Sequence, residues 1–337
     1  MVKKWVLFCG LALLILVSAG VGTRYVNADT NSAEIAMELS TGTVLEQSNA
    51  DVQLPMASTT KIMTAIIIIE DCDLDEVITV PSEAVGAEGS SIYLKKDEQI
   101  DIRDLLYGLM LRSGNDSAAA LAIHHSGSTE KFAEVMNKRA KELGAEKTNF
   151  KNPSGLPDSE HYTTARDLCN ITRHAMQNEI FKEIVSTKSY SGKFRTFSNK
   201  NKMLYNYDGA NGVKTGYTVK AGRCLVSSAE RNGMDVICVV LNCPDMYGRS
   251  AKILDTCFNE YKLVELDENK LFMSGRILCK TSKSLNFVAK SDDKLTYFVK
   301  PLNENKKVKR GDLVAKLEIV GQNGLILSEN LYSIIDR

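Results

Sequence analysis

Apolar positions change their spacing twice along the chain, and the changes mark out its elements. In EIAMELSTGTVLEQ, Glu34 to Gln47, apolar residues recur at short intervals on both sides of a Ser-Thr-Gly turn, which predicts two short strands. From about Ala57 to Gln177 the interval lengthens to three and four, the spacing that keeps side chains on one helix face. DLLYGLMLR (Asp104 to Arg112) and TEKFAEVMNKRAKEL (Thr129 to Leu143) carry it most clearly, and Gly144 marks a helix stop after the second. Strand patterns return at GVKTGYT (Gly212 to Thr218), CLVSSA (Cys224 to Ala229) and VICVVL (Val236 to Leu241). The turn from Arg231 to Met234 contains Asn-Gly, so it joins the last two strands as a hairpin. Strands therefore open this region, helices fill its middle and strands close it. The simplest packing is an α+β domain: one mainly antiparallel sheet, built from both ends of the segment, with helices against it.

Near Leu263 the texture changes again. ILCK, LNFVA, LTYFV and LVAKLEIV alternate apolar and polar residues between polar turns, which predicts a small all-β domain over residues 264–337. No reactive cluster lies there, so its expected role is that of a spacer. The chemistry is expected in residues 29–263.

The N-terminus reads as an export signal. Lys3 and Lys4 precede an apolar stretch from Trp5 to Gly22, and Val26-Asn27-Ala28 forms a small-residue cleavage pattern. Cleavage after Ala28 is expected, giving a mature chain outside the cytoplasm. The alternative is an uncleaved anchor, because the apolar stretch approaches bilayer-spanning length.

At 337 residues the chain has room for two domains. Its 42 basic and 42 acidic residues give no strong field, which argues against nucleic acid as a partner. Losing residues 1–28 removes three basic and no acidic side chains, leaving 39 against 42. Seven of the eight cysteines then remain, an odd number, and no disulfide is predicted. Cys238 sits inside an apolar run, where a small buried hydrophobe is expected. Cys238 and Cys243 lack a partner pair at zinc-ligand spacing, and the acidic stretch from Asp71 to Glu76 lacks the glycine and distal glutamate of a calcium loop. No metal or cofactor is expected. His124, His125, His161 and His174 are expected at helix ends or on the surface, since no G-x-S-x-G or H-E-x-x-H accompanies them.

Three short stretches could carry chemistry. In PMASTTKIMTAIIIIE, Ser58 and Lys61 lie one turn apart on one helix face, directly before an apolar run. A first-turn serine sits beside backbone N–H groups that lack partners within the helix, and these could hold an oxyanion. A lysine among apolar neighbours has its charged form disfavoured, so it can take a proton from serine. The plainer reading is a helix cap and a lysine reaching for water. LRSGNDS places Ser113 and Asn115 on a loop that opens a helix. KTGYT places Lys214 and Thr215 on a strand before Gly216, where a missing side chain permits close approach.

Together and in this order, the three are the Ser-x-x-Lys, Ser-x-Asn and Lys-Thr-Gly set of β-lactamases and penicillin-binding proteins. With LPMASTTKIMTA, GLMLRSGNDSAAALA, NFKNPSGLPD and GANGVKTGYTVKAGRCLVSSA, the chain closely resembles the serine-type D-alanyl-D-alanine carboxypeptidases, the low-molecular-mass penicillin-binding proteins. The similarity covers roughly Ala33 to Leu263, and the tail resembles that family's C-terminal domain. The resemblance implies a penicillin-binding, β-lactamase-like fold. It implies Ser58 as nucleophile, Lys61 as general base and Ser113 as a proton relay to the leaving group. Asn115 would border the cleft, while Lys214 and Thr215 would bind the substrate's terminal carboxylate. Gly216, Tyr217 and Thr218 would complete that edge. The N–H groups of Ser58 and Tyr217 would hold the oxyanion, and Tyr217 replaces a histidine of some relatives without loss, since the contact is from backbone.

The implied partners are a peptidoglycan stem peptide ending in D-Ala-D-Ala and β-lactams as covalent inhibitors. Membrane association would come from the N-terminal segment if uncleaved, for the C-terminus has a β-like pattern without the basic face of an anchor helix. A β-lactamase reading needs a glutamate to activate water, and Glu146 lacks the required spacing to its asparagine. A non-catalytic wall-binding or sensor protein is the third reading, and the intact motif set argues against it.

Overall fold

The computed structural model describes residues 32–302 and 307–336, with the backbone of Arg24 and Tyr25. The export segment expected over residues 1–28 lies outside the described residues apart from that backbone pair. No helix among the described residues is long and apolar enough to cross a membrane.

The main sheet runs in the order Val44–Ser48, Ala33–Glu38, Met234–Leu241, Gly222–Arg231, Ala210–Thr218, all antiparallel. Arg24–Tyr25 adds a parallel pair beside Val44–Ser48. Both ends of the segment thus build one sheet, as the pattern predicts. At the hairpin, Asn232 (φ +53°) and Gly233 (φ +78°) both take the left-handed conformation expected of the Asn-Gly turn. The central strand Met234–Leu241 is buried at every position. Ile237, Val239 and Leu241 join the core under the helical layer, while Val236, Cys238 and Val240 join a second core on the opposite face. That two-sided cover is why VICVVL is an unbroken apolar run.

The second face is covered by a helix, Met246–Glu260, which the sequence reading did not anticipate. It corrects the expectation that strands close the domain. Asp245 caps it by accepting the Gly248 N–H at 3.1 Å, and Met246, Ser250, Ile253, Leu254 and Cys257 form its buried stripe. On the other face, the helix Lys61–Asp71 is buried from Lys61 through Ile69. It contacts the helices Asn115–Ser126, Thr129–Glu142, Ala165–Ala175 and Glu179–Ser186, so an apolar run without a polar face belongs there. Two small two-stranded antiparallel sheets, Val77–Thr79 with Gln99–Asp101 and Ser189–Ser191 with Thr196–Ser198, interrupt the helical region unpredicted.

Beyond residue 266 the described chain is all β, with its own apolar core around Cys279, Leu317, Ile319 and Leu331. The strand Tyr261–Leu266 runs across the position where the sequence texture changes. Its Tyr261 packs with the second core of the main sheet and donates to the Leu45 carbonyl at 3.2 Å.

Candidate active site

The sequence around Ser58 folds as a 3-10 turn, Ala57–Thr60, running directly into the helix Lys61–Asp71. Thr59 and Thr60 donate their hydroxyls back to the carbonyls of Met56 (2.6 Å) and Ala57 (2.8 Å), which tightens the turn. Ala57 is forced to φ +49°, a costly conformation for a residue with a Cβ. From Met56 to Lys61, only Ser58 is not buried. Its N–H precedes the first bond within the turn, from Thr59 N–H to Met56 C=O, so it has no acceptor there.

Lys61 is wholly buried, and its Nζ lies 3.1 Å from Ser58 Oγ. It also donates to Asn115 Oδ1 at 2.7 Å and to the Ser154 carbonyl. Burial pushes its pKa well below the ordinary lysine value, the charge of Lys214 pushes further, and Asp116 opposes both. The set suits a neutral amine: two N–H bonds go to two neutral acceptors, leaving the lone pair for the serine hydroxyl.

The second wall begins where the helical segment Gly108–Arg112 ends at Ser113 in the left-handed conformation (φ +64°, ψ +35°). Asn115 then opens the helix Asn115–Ser126. Its N–H donates to the Ser90 carbonyl at 2.7 Å and its side-chain amide to the Glu88 carbonyl, so it ties Lys61 to the loop before Tyr93. Ser113 is buried as well, but among the described residues no hydrogen bond joins its hydroxyl to Ser58 or Lys61.

The third wall is the strand Ala210–Thr218 at the end of the sheet. Gly216 presses against the Ser58 turn: a Cβ there would lie 3.0 Å from Ser58 N and 3.2 Å from Met56 O. Any side chain would close the space before the Ser58 N–H. Lys214 is buried and donates to the Thr215 carbonyl at 3.0 Å. Burial, with the nearby Lys200, lowers its pKa to about 7. Thr215 and Thr218 are partly exposed, and Tyr217 is exposed. The structure thus gathers Ser58, Lys61, Asn115 and Gly216 in direct contact, with Lys214 near enough for its charge to act on Lys61.

Several residues of the site escaped the sequence reading. Asp116 is buried and spends its carboxylate on the N–H groups of Ile92 (3.0 Å) and Leu94 (3.0 Å), fixing the Tyr93 loop. The loop at NPSGLPD, noticed only as a resemblance, forms the floor beneath Lys61. Asn152 Oδ1 accepts the N–H groups of Ser154 (3.2 Å), Gly155 (2.7 Å) and Leu156 (3.1 Å), and the Pro153 carbonyl accepts Thr64 Oγ1 at 2.7 Å. Gly155 abuts Ala57 so closely that a Cβ would sit 1.9 Å from the Ala57 oxygen. Its +86° φ and this contact both demand glycine.

His161 is a correction. It is neither at a helix end nor on the surface but buried behind the Ser58 turn, 2.7 Å from Thr60 Oγ1. Burial lowers its pKa to about 4. The other three histidines do close helices, His124 and His125 on Asn115–Ser126 and His174 on Ala165–Ala175, beside Glu76, Asp71 and Glu70. Glu146 is exposed, and among the described residues no carboxylate hydrogen-bonds Ser58 or Lys61. No three side chains of metal-binding type come together among the described residues.

Residues 23–245 match the D-alanyl-D-alanine carboxypeptidase family. The chain is 35% identical over 241 residues to the D-alanyl-D-alanine carboxypeptidase DacF of Bacillus subtilis, a match covering 68% of this chain and 62% of that protein. It is 37% identical over 228 residues to a D-alanyl-D-alanine carboxypeptidase of Streptomyces sp. strain K15, covering 61% of this chain and 78% of that one. The match thus spans less than two thirds of the Bacillus protein's length. Among solved structures, the D-alanyl-D-alanine carboxypeptidase DacD of Francisella tularensis superposes with a TM-score of 0.77 at 27% identity, over 93% of this chain and 95% of that chain. Penicillin binding protein 5 of Haemophilus influenzae gives 0.77 at 27% identity, over 90% and 96%.

Proposed function

Because the chain belongs to the D-alanyl-D-alanine carboxypeptidase family, we propose that it is a serine hydrolase that removes the terminal D-alanine from peptidoglycan stem peptides through an acyl-enzyme on Ser58. The observation that carries the proposal is the 3.1 Å separation of Lys61 Nζ from Ser58 Oγ in a wholly buried setting.

Neutral Lys61 takes the Ser58 proton as Oγ attacks the carbonyl between the two D-alanines. The carbonyl oxygen becomes an oxyanion, held by the N–H groups of Ser58 and Tyr217 across the gap that Gly216 keeps open. When the C–N bond breaks, the proton passes from Lys61 to the departing amine, with Ser113 as relay. Water then attacks the ester, gives one proton to Lys61, and Ser58 recovers its proton as the C–O bond breaks. The products are free D-alanine and a peptide shortened by one residue.

Lys214 and Thr215 receive the substrate carboxylate. The Lys214 ammonium has three N–H groups and spends one on the Thr215 carbonyl. An arriving carboxylate would raise its pKa from about 7 and hold it charged. A penicillin carries a carboxylate and a strained amide in the same relation, so it acylates Ser58. Its leaving amine stays tethered in the cleft, and with no glutamate placed to activate water the ester persists. Such a substrate places the protein outside the cytoplasm, in keeping with the export signal read at residues 1–28. Incubation with benzylpenicillin should add one mass equivalent at Ser58, and a D-Ala-D-Ala peptide should release D-alanine repeatedly. Ser58→Ala should do neither. Labelling at another residue, or fast repeated penicillin hydrolysis without D-alanine release, would overturn the reading.

A further inference from the structure

Thr60 and His161 touch no reacting atom in this scheme, yet they control the peptide unit that carries the Ser58 N–H. His161 is buried, with Nδ1 3.1 Å from the Lys151 N–H and Nε2 2.7 Å from Thr60 Oγ1. A backbone N–H can only donate, so Nδ1 is the acceptor and the ring proton of neutral His161 sits on Nε2. That proton points at Thr60 Oγ1, whose own hydrogen is then left for the Ala57 carbonyl at 2.8 Å. Every direction in the chain is thereby fixed: Lys151 N–H to His161, His161 to Thr60, Thr60 to Ala57 C=O.

The Ala57 carbonyl and the Ser58 N–H belong to one planar peptide, so they point opposite ways. Holding the carbonyl inward against Thr60 turns the N–H toward Gly216 and the cleft. The same unit is under strain, because Ala57 has φ +49°. Such a conformation is unfavourable for a residue with a Cβ and lasts only where its surroundings enforce it.

We propose that His161, acting through Thr60, is a positioning residue that aims the Ser58 N–H at the developing oxyanion. The proposal rests on the reading of Ser58 as nucleophile.

The test follows acylation by benzylpenicillin over a range of concentrations, which separates the first-order acylation rate from the noncovalent dissociation constant. Thermal unfolding is recorded for each variant. Losing an oxyanion donor outright costs about 100- to 1,000-fold, so a mis-aimed one should cost about 10- to 100-fold. Thr60→Val, which removes the hydroxyl and keeps the shape, should lose that much in rate with the dissociation constant within about threefold, the split expected of a transition-state interaction. Thr60→Ser should restore it.

His161→Gln keeps a donor near the Nε2 position and should be fast. His161→Asn keeps an acceptor for the Lys151 N–H but cannot reach Thr60, and should be slow. Equal rates for Gln and Asn, or wild-type acylation by folded Thr60→Val, would overturn the proposal. So would rate and affinity falling together without rescue by serine. The Gln and Asn pair decides the matter if Thr60→Val does not fold. A wild-type protein that penicillin leaves unlabelled at Ser58 would instead sink the nucleophile assignment.

Discussion

Lys61 stands in the helical wall with three polar neighbours, and Lys214 stands on the sheet edge with one. Both are buried, at 0% and 2% exposure, and burial lowers the pKa of both. Their surroundings nevertheless suit them to opposite tasks. The partners of Lys61 are a serine hydroxyl, an amide oxygen and a peptide carbonyl, which saturate a neutral amine and offer no pairing charge. Asp116 is the carboxylate whose charge acts on Lys61, but it is committed to backbone N–H groups. Lys214, as an ammonium, keeps two N–H donors beyond the one given to the Thr215 carbonyl. On the proposed assignment, the partner set, more than burial, separates the base from the anion receptor.

The sharpest way to break the comparison is to replace each lysine by methionine and by arginine. Lys61→Met should slow penicillin acylation and D-alanine release by about 100- to 10,000-fold, the usual worth of a general base. Lys61→Arg should be no better, because guanidinium does not deprotonate. Lys214→Met should cost peptide turnover about 10- to 150-fold in kcat/KM, the range of a charge-assisted hydrogen bond. Lys214→Arg should recover most of it. Arginine rescuing position 61 would mean that charge, and not proton transfer, is what Lys61 supplies.

A smaller effect concerns acid stability. His161 is held neutral in the native state, with a pKa of about 4 against 6.5 unfolded; burial pushes it down, Asp158 pulls it up and Lys61 adds to the fall. Below pH 6.5 the unfolded chain takes a proton that the native chain refuses, so stability falls from 6.5 to about 4. The loss should approach about 3 kcal/mol. Denaturant unfolding of His161→Gln should depend less on pH across that window than the wild type. A parallel dependence would mean that His161 is not held neutral.

The smallest effect should come from removing the all-β tail, which we take to be dispensable for chemistry. A chain ending at Leu263 keeps Tyr261 and all the site residues, so its acylation rate should stay within about threefold while its unfolding temperature drops. A folded truncation that does not react would mean that the tail shapes the cleft.

What the sequence disclosed follows from range. Ser58 and Lys61, the Asn-Gly hairpin and the helix Thr129–Glu142 are set by neighbours within a turn or two, and their patterns are visible in a single pass. Thr60 and His161 meet across 101 positions, and Lys61 and Ser154 across 93, so no local spacing announces either contact. The loop from Asn152 to Leu156 has no periodicity because its order comes from one asparagine side chain. The helix Met246–Glu260 did leave a trace, Asp245 before a stripe at 246, 250, 253, 254 and 257, but the preceding strands drew the reading toward β structure.

The central claim is that Lys61 is neutral when Ser58 reacts. It is tested most directly by titrating Lys61 Nζ in the free protein by NMR of lysine labelled at Cε, with its signal identified by loss in Lys61→Arg. Lys61 should titrate well below the ordinary lysine value of about 10.4, and penicillin acylation should fall on the acid side of that same transition. A Lys61 that titrates near 10 in a protein acylating at full rate at pH 7 would contradict the account.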